Sequence, residues 1–329
     1  MRAQTDHGGK RDSDANREHA VLLTRPDGQH VAAILPPVDA RQLPSSPIKQ
    51  SWSRLTRLMT SNVAAAVLAG PALSATPPIT WQSLQDGVEY AAIGADKVDA
   101  GASADERLHV VRIDPERAPL VAVMAKAGDG KPREAAKWCH ERKLAVAINL
   151  GMYAADQLTN VGHAHVPGHV NHAHWSSSYK SALAFAPKKK GLPAAVLLDL
   201  DEPGSKERLA DYGAAVQNLR LIRAPGQNVW GEQERRWSEA AVAMDKQGRL
   251  LFLFTRHLYS MHELNAKLLA LPLDISNAMH VEGGPEASLS IHVPGLDLDL
   301  NGSYEIEVDE DDIEAGQWPI PNVLGVAKK

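Results

Sequence analysis

Two short segments set chemistry-bearing residues at the end of an apolar run. In the first, Ala145-Val146-Ala147-Ile148 is followed by Asn149-Leu150-Gly151-Met152-Tyr153. A polar amide and then a glycine end a core strand and open it. The carboxamide can orient a ligand hydroxyl, and the glycine lets a ligand approach the backbone. A plain strand-to-turn transition has the same pattern. In the second segment, Ala278-Met279-His280-Val281 leads into Glu282-Gly283-Gly284-Pro285-Glu286. A carboxylate at a strand end can serve as general acid or base, and the glycines leave backbone N–H groups to form an anion nest. A tight turn ahead of another strand would read the same way.

A third feature is a run of imidazoles. His163, His165, His169, His172 and His174 fall within twelve residues of a Gly- and Asn-bearing loop just after Tyr153. Spacings of two on an extended segment put side chains on one side, as metal ligands require. That makes His163, His165 and His169 candidate ligands of a divalent metal. The spacing matches no standard zinc motif, and a substrate-lining or solvated loop needs no metal. Asp297-Leu298-Asp299-Leu300-Asn301-Gly302 has half of a calcium-loop spacing, but Val308 stands where the bidentate Glu is required. Its alternation reads as a strand with an acidic outer face. Neither a Ser-His-Asp signature nor a phosphate-cradling glycine loop with lysine is present.

Composition narrows the partners. The 329-residue chain carries a net charge of −5, so it lacks the basic field that a nucleic-acid backbone requires. Its one cysteine, Cys139, rules out an intramolecular disulfide and reads as a small buried apolar group on a helix. Residues 1–58 are polar and rich in Gly and Pro, an expected disordered extension, with Met59 an alternative start. Lys49, Arg54 and Arg57 precede the apolar run 63–73, and Leu73-Ser74-Ala75 closes it. Positive flank, short apolar run and small-residue exit together form a signal-peptide pattern over 59–75, with a mature chain from Thr76. The run is shorter than the ~20 residues of a stable span. The chain is therefore expected outside the cytoplasm, periplasmic or extracellular, without a membrane anchor after cleavage.

The elements that must position the two segments are short strands. Strands are expected at 88–93, 108–113, 120–125, 144–150, 181–186, 194–200 and 216–222. A hairpin joins 240–245 to 250–255 through Lys246-Gln247-Gly248, and further strands fall at 278–281, 287–292 and 304–308. Helices are expected at 132–143 and 261–271. This is an α+β pattern: one domain at 76–329, a mixed β-sheet with a few covering helices and a cleft at strand ends.

In order and spacing, the segments resemble the phosphodiester glycosidase family. Its pattern has an Asn-x-Gly-x-aromatic strand end, a Gln-containing strand, a hairpin, a helix and an Asp-Gly-Gly strand end. Asn149, Gly151 and Tyr153, then Gln217, the 240–255 hairpin, the 261–271 helix and Glu282-Gly283-Gly284 carry the likeness, which spans roughly residues 81–327. Glu282 stands where the pattern has Asp, Asn218-Leu219 where it has Gly-Pro, and Glu239 where it has Arg.

The resemblance implies hydrolysis of a glycosyl bond to phosphate in a sugar-phosphate or envelope glycan. Glu282 and Asn149 would be catalytic, and Gly151, Tyr153, Gln217, Gly283 and Gly284 would contact substrate. Arg256, at a strand end, would hold phosphate with its fork of donors. Asp156, Glu239 and Glu286 compete as the second carboxylate. The departures admit a glycan-binding protein without catalysis, and the histidines admit a metal-dependent phosphodiesterase.

Overall fold

A computed structural model of the chain describes residues 20–24, 30–34, 78–94, 107–303 and 316–329. The chain divides into two compact units, Met1–Ala75 and Thr76–Lys329. In the first, β1 (Ala20–Thr24) and β2 (His30–Ile34) pair as an antiparallel hairpin, inside the stretch expected to be a disordered extension. The signal-peptide pattern of 59–75, the 304–308 strand and the acidic run 309–312 lie outside the described residues.

The second unit begins with β3 (Gln82–Gln85), β4 (Val88–Ile93), β5 (Leu108–Ile113) and β6 (Leu120–Met124). The helix α1 (Ala135–Arg142) and β7 (Leu144–Asn149) follow. Then come β8 (Ala164–Val166), β9 (His169–His172), β10 (Ser181–Pro187) and β11 (Ala195–Asp199). After the short helix α2 (Ser205–Leu209) run β12 (Tyr212–Asn218), β13 (Arg220–Arg223) and β14 (Gln227–Asn228). The long hairpin β15 (Trp237–Asp245) and β16 (Leu250–Tyr259) precedes α3 (Met261–Ala270) and β17 (Ile275–Gly283). The unit closes with β18 (Ser288–Val293), β19 (Leu296–Asn301) and β20 (Asn322–Ala327).

These strands form three sheets: an eight-stranded sheet ordered β14-β13-β17-β15-β16-β5-β4-β3, and two of five strands, β19-β18-β7-β20-β6 and β11-β10-β12-β8-β9. Every pairing among the described residues is antiparallel, so the expected mixed sheet is corrected to antiparallel ones. For consecutive strands such as β3–β4, β8–β9, β15–β16 and β18–β19 the physical reason is connection length, since a tight turn returns the chain beside itself in the opposite direction.

The inner faces share one core. Val111, Ala240, Phe252 and Val281 of the large sheet meet Val146, Ile148, Leu289 and Leu324 of the second and Leu183 and Val216 of the third. Outer faces carry the helices: Leu264 and Leu268 of α3 pack over Ala241 and Leu253, and Trp138 and Cys139 of α1 over Leu144 and Ala147. Burial lifts the Cys139 thiol to about 12, so it stays protonated and inert at neutral pH. Ser260 and Glu263 form a reciprocal capping box that starts α3. The fold is strand-dominated, in keeping with the coarse α+β expectation. Among the described residues, no helix is long and apolar enough to cross a membrane.

Three local expectations are corrected. Residues 216–222 are two strands in different sheets, broken at Leu219. The histidine segment is not a loop, because β8 and β9 form a hairpin within it. The C-terminal strand β20 went unread, although Val323-Leu324-Gly325-Val326 is an apolar run set off by Pro321.

Candidate functional site

Chain topology brings the two strand ends together. β18 pairs with β7, Leu289 opposite Ile148, so the segment leaving β17 must arrive beside Asn149. Asn149 fixes that arrival: its Nδ2 donates to the Glu286 carbonyl at 2.8 Å, and its Oδ1 accepts from Ser288 N at 2.7 Å. The carboxamide thus clamps the turn that leads from β17 into β18 against the end of β7. Its oxygen and one of its two amide hydrogens are engaged in these bonds.

Two carboxyls lie on the clamped segment. Glu282 is 9% and Glu286 5% exposed. Burial holds the Glu282 carboxyl well above the usual carboxylate range, and the charges of Glu286 and Glu239 push it further up. Gly283 N donates to Glu282 Oε1 at 3.1 Å and opposes this in part. Burial pushes Glu286 up to about 7. Tyr179 lies within the field of Glu282; burial and then that charge raise its hydroxyl. A carboxyl kept protonated near neutrality is what a general acid needs.

Behind Gly283 stands a polar network. Trp237 Nε1 donates to Glu239 Oε2 at 2.9 Å, and His280 Nδ1 is hydrogen-bonded to Glu239 Oε1. Gly283 has extended backbone, so the reason for glycine is contact: an added Cβ would lie 2.7 Å from Trp237 Cδ1 and 3.4 Å from His280 Cε1. Gly284 needs glycine for its φ of +69°. A shift in the β15–β17 register inserts Val281 between Glu282, opposite Ala240, and His280, opposite Ala241.

At the other strand end, Gly151 has φ +87°, and an added Cβ would meet Asn160 Nδ2 at 2.9 Å and Val216 Cγ1 at 3.2 Å. Asn160 Nδ2 donates to the Leu150 carbonyl and its Oδ1 accepts from Asn322 Nδ2. Asn218 Nδ2 lies 3.5 Å from that same Cβ position, fully buried and without a partner among the described residues, while its Oδ1 accepts from Leu219 N. Sequence reading treated Asn218 only as a departure; nothing local marks it.

Other expected contacts are placed elsewhere. Gln217 is saturated: Oε1 accepts from His163 N and Ser176 N, and Nε2 donates to the carbonyls of Ser176 and Tyr179. It pins the 173–180 segment, with both carboxamide heteroatoms engaged. Tyr153 packs with the cluster of Trp138 and Ala147 on the outer face under α1. Arg256 Nη1 donates to the Asn301 carbonyl at 2.7 Å, bracing the end of β19.

The histidines turn toward one another. His163 Nε2 lies 2.9 Å from His165 Nδ1, a hydrogen-bond distance that leaves no room for an ion between them. His163 also bonds the Ala173 carbonyl and stacks on Trp175. Burial lowers the affinity of both rings for a proton. Among the described residues, no three His, Cys, Asp or Glu side chains converge to hold a metal, His169 included. A surface hollow of about 370 Å³ is lined by Glu232, Arg236, Ser260 and Glu263, and none of the strand-end residues takes part in it.

Fold and site define a class: an antiparallel β scaffold that sets acidic side chains at a strand end, as glycosidic-bond hydrolysis demands. A phosphodiester glycosidase family model matches residues 142–327, more than half of the chain. The chain belongs to that family. Among solved structures it is similar to the catalytic domain of zebrafish N-acetylglucosamine-1-phosphodiester α-N-acetylglucosaminidase, auto-inhibited by its pro-peptide. The identity is 14% and the TM-score 0.50, over 75% of this chain and 86% of that one. A hypothetical protein from Synechocystis aligns at 15% identity and TM-score 0.48, over 77% and 64%. A putative exported protein from Burkholderia pseudomallei aligns at 10% and 0.44, over 68% and 74%. The likeness to the zebrafish domain concerns the fold alone. No curated protein matches in sequence.

Proposed function

We propose that this chain is an exported hydrolase that cleaves the glycosyl–phosphate bond of a sugar phosphodiester, either a soluble sugar phosphate or an envelope glycan. The observation that carries the reading is the buried carboxyl of Glu282 on a segment pinned to Asn149, where burial and then the charge of Glu286 raise its hold on a proton. Glu282 delivers a proton to the leaving phosphate oxygen as the anomeric C–O bond breaks. The N–H group of Gly284 and the guanidinium of Arg256 are the donors assigned to the phosphate. A structural relative is named for an N-acetylglucosamine phosphodiester, which makes that sugar the first to test. Export rests on the positive flank, apolar run and small-residue exit of 49–75.

The test is turnover of UDP-N-acetylglucosamine and of a nitrophenyl glycosyl phosphate by the purified protein. Glu282→Gln is expected to lower kcat by about 10²–10⁴-fold with little change in folding. Undiminished turnover in that variant would remove Glu282 from the chemistry. A glycan-binding protein without catalysis is the second reading. It is favoured by the saturated carboxamide of Gln217 and by the carboxylate at position 239. Binding of the sugar with no turnover would establish it. N-terminal sequencing of protein recovered from a bacterial envelope fraction tests export, with Thr76 the expected first residue.

A further inference from the structure

Five acidic side chains are buried among the described residues, and three of them have structural partners. Asp199 pairs with Arg220 and Arg223, and Asp245 with Arg249 and the backbone of its own hairpin turn. Both oxygens of Glu239 are bonded, one to Trp237 and one to His280. Glu282 and Glu286 lack such partners. Glu282 accepts from Gly283 N, Glu286 accepts from its own backbone N–H, and no cation acts on either. A buried carboxyl without a partner destabilises a fold, which a purely structural role does not require.

The two carboxyls also share one turn. Glu282 ends β17 with Gly283, and Gly284–Glu286 follows at once as a single 3-10 turn. Asn149 fixes the exit of that turn through the Glu286 carbonyl and Ser288 N. Neither carboxyl has an oxygen that is at once enclosed and unpartnered, so the free oxygens of both reach the surface. Only burial raises Glu286, to about 7, whereas Glu282 also feels the charge of Glu286. Glu286 therefore ionises first, and near neutrality the turn carries one carboxylate and one protonated carboxyl. The other two carboxylates of the sequence reading are spent elsewhere: Glu239 as above, and Asp156 on the exposed turn at Leu158 and Thr159.

We propose that Glu286 is the second catalytic carboxyl of this hydrolysis, the base that activates the attacking water. The inference rests on the preceding reading of Glu282 as the acid. The Glu286 carboxylate takes a proton from water while the water oxygen bonds to the anomeric carbon. The bond from that carbon to the phosphate oxygen breaks, and the departing oxygen receives the proton of Glu282. The products are the free sugar and a phosphate monoester. Solvent then carries the proton from Glu286 back to Glu282, which restores both groups.

The charged and titratable groups about the turn are Glu282, Glu239 on β15, Tyr179, and Arg256 at the end of β16, bonded to the Asn301 carbonyl. The experiment compares wild type, Glu286→Gln and Glu286→Ala on the nitrophenyl glycosyl phosphate across about pH 4 to 9, with melting temperatures alongside. Glu286→Gln is expected to lose about 10²–10⁴-fold in kcat with KM within a few-fold. The wild-type fall of kcat/KM below about pH 7, where the base takes up its proton, is expected to vanish in that variant. Sodium azide is expected to restore turnover of Glu286→Ala. The anion needs no base: it bonds to the anomeric carbon as the phosphate oxygen leaves, and the product is the glycosyl azide.

Wild-type kcat in Glu286→Gln overturns the inference and leaves Glu282 untouched. So does a loss that keeps the acidic limb, with no glycosyl azide from Glu286→Ala. Should both variants fail to fold, an unaltered kcat in Glu286→Asp, whose carboxyl reaches one methylene less far, overturns it equally. A wild type that hydrolyses no glycosyl phosphate overturns the reading of Glu282, and the base falls with it.

Discussion

Glu282 and Glu286 are carboxyls that folding moves toward their protonated forms, because both leave water and Glu282 faces two further negative charges. The consequence for stability has a definite sign. A carboxyl with its folded value raised from 4.5 to about 7, as at Glu286, binds its proton more tightly when folded. Its contribution is complete below about pH 4.5, declines as pH rises through about 7, and is flat above. For Glu286 the change is about 3 kcal/mol. Glu286→Gln, with no charge to bury, is therefore expected to melt on the order of 10 °C above wild type at pH 8, with the gap closing by pH 4. Melting curves at the two pH values check it, and parallel curves for the two proteins would contradict it. Residue types at the site were legible: a carboxylate after an apolar run, two glycines, an amide. Their uses were not. Asn149 and Gln217 are amides bonded to backbone 137 and up to 54 residues away, and no local pattern encodes that.

At the scale of elements, β17 carries the site through one irregularity and two glycines. Gly283 is glycine because the Trp237 indole occupies the space of a Cβ. Gly283→Ala is expected to displace Trp237, loosen its bond to Glu239 and cost about 1–3 kcal/mol. Urea unfolding gives the cost, and a shift in tryptophan emission reports the displacement; an unshifted spectrum would mean that the indole holds its place. Most elements followed from local pattern. Alternation and turn residues placed β4, β5 and the β15–β16 hairpin, where Gly248 at φ +80° supplies the turn. The failures share a cause. Residues 216–222 read as one strand, yet His280 N bonds the Leu219 carbonyl and β13 pairs with β17, so tertiary pairing divides the run between two sheets.

For the whole molecule, closure depends on the C-terminal strand. β20 lies between β7 and β6 and contributes Leu324 and Val326 to the shared core, and beyond it the Lys329 ammonium bonds the Arg117 carbonyl. Removing residues 322–329 is expected to abolish cooperative unfolding, since β7 and β6 would each expose an edge. Circular dichroism through a thermal scan checks this, and a sharp transition in the truncated chain would contradict it. The sequence by itself determined the strand-rich class, both strand ends and the order of motifs that marks the family. Those properties are written in side-chain alternation and in residue types a few positions apart. Only the tertiary structure decided which amide braces which backbone, that Glu239 pairs with His280, and that Glu282 and Glu286 lose their water. Each of these depends on how three sheets register against one another, and contacts between residues far apart in the chain exist only once that packing is complete.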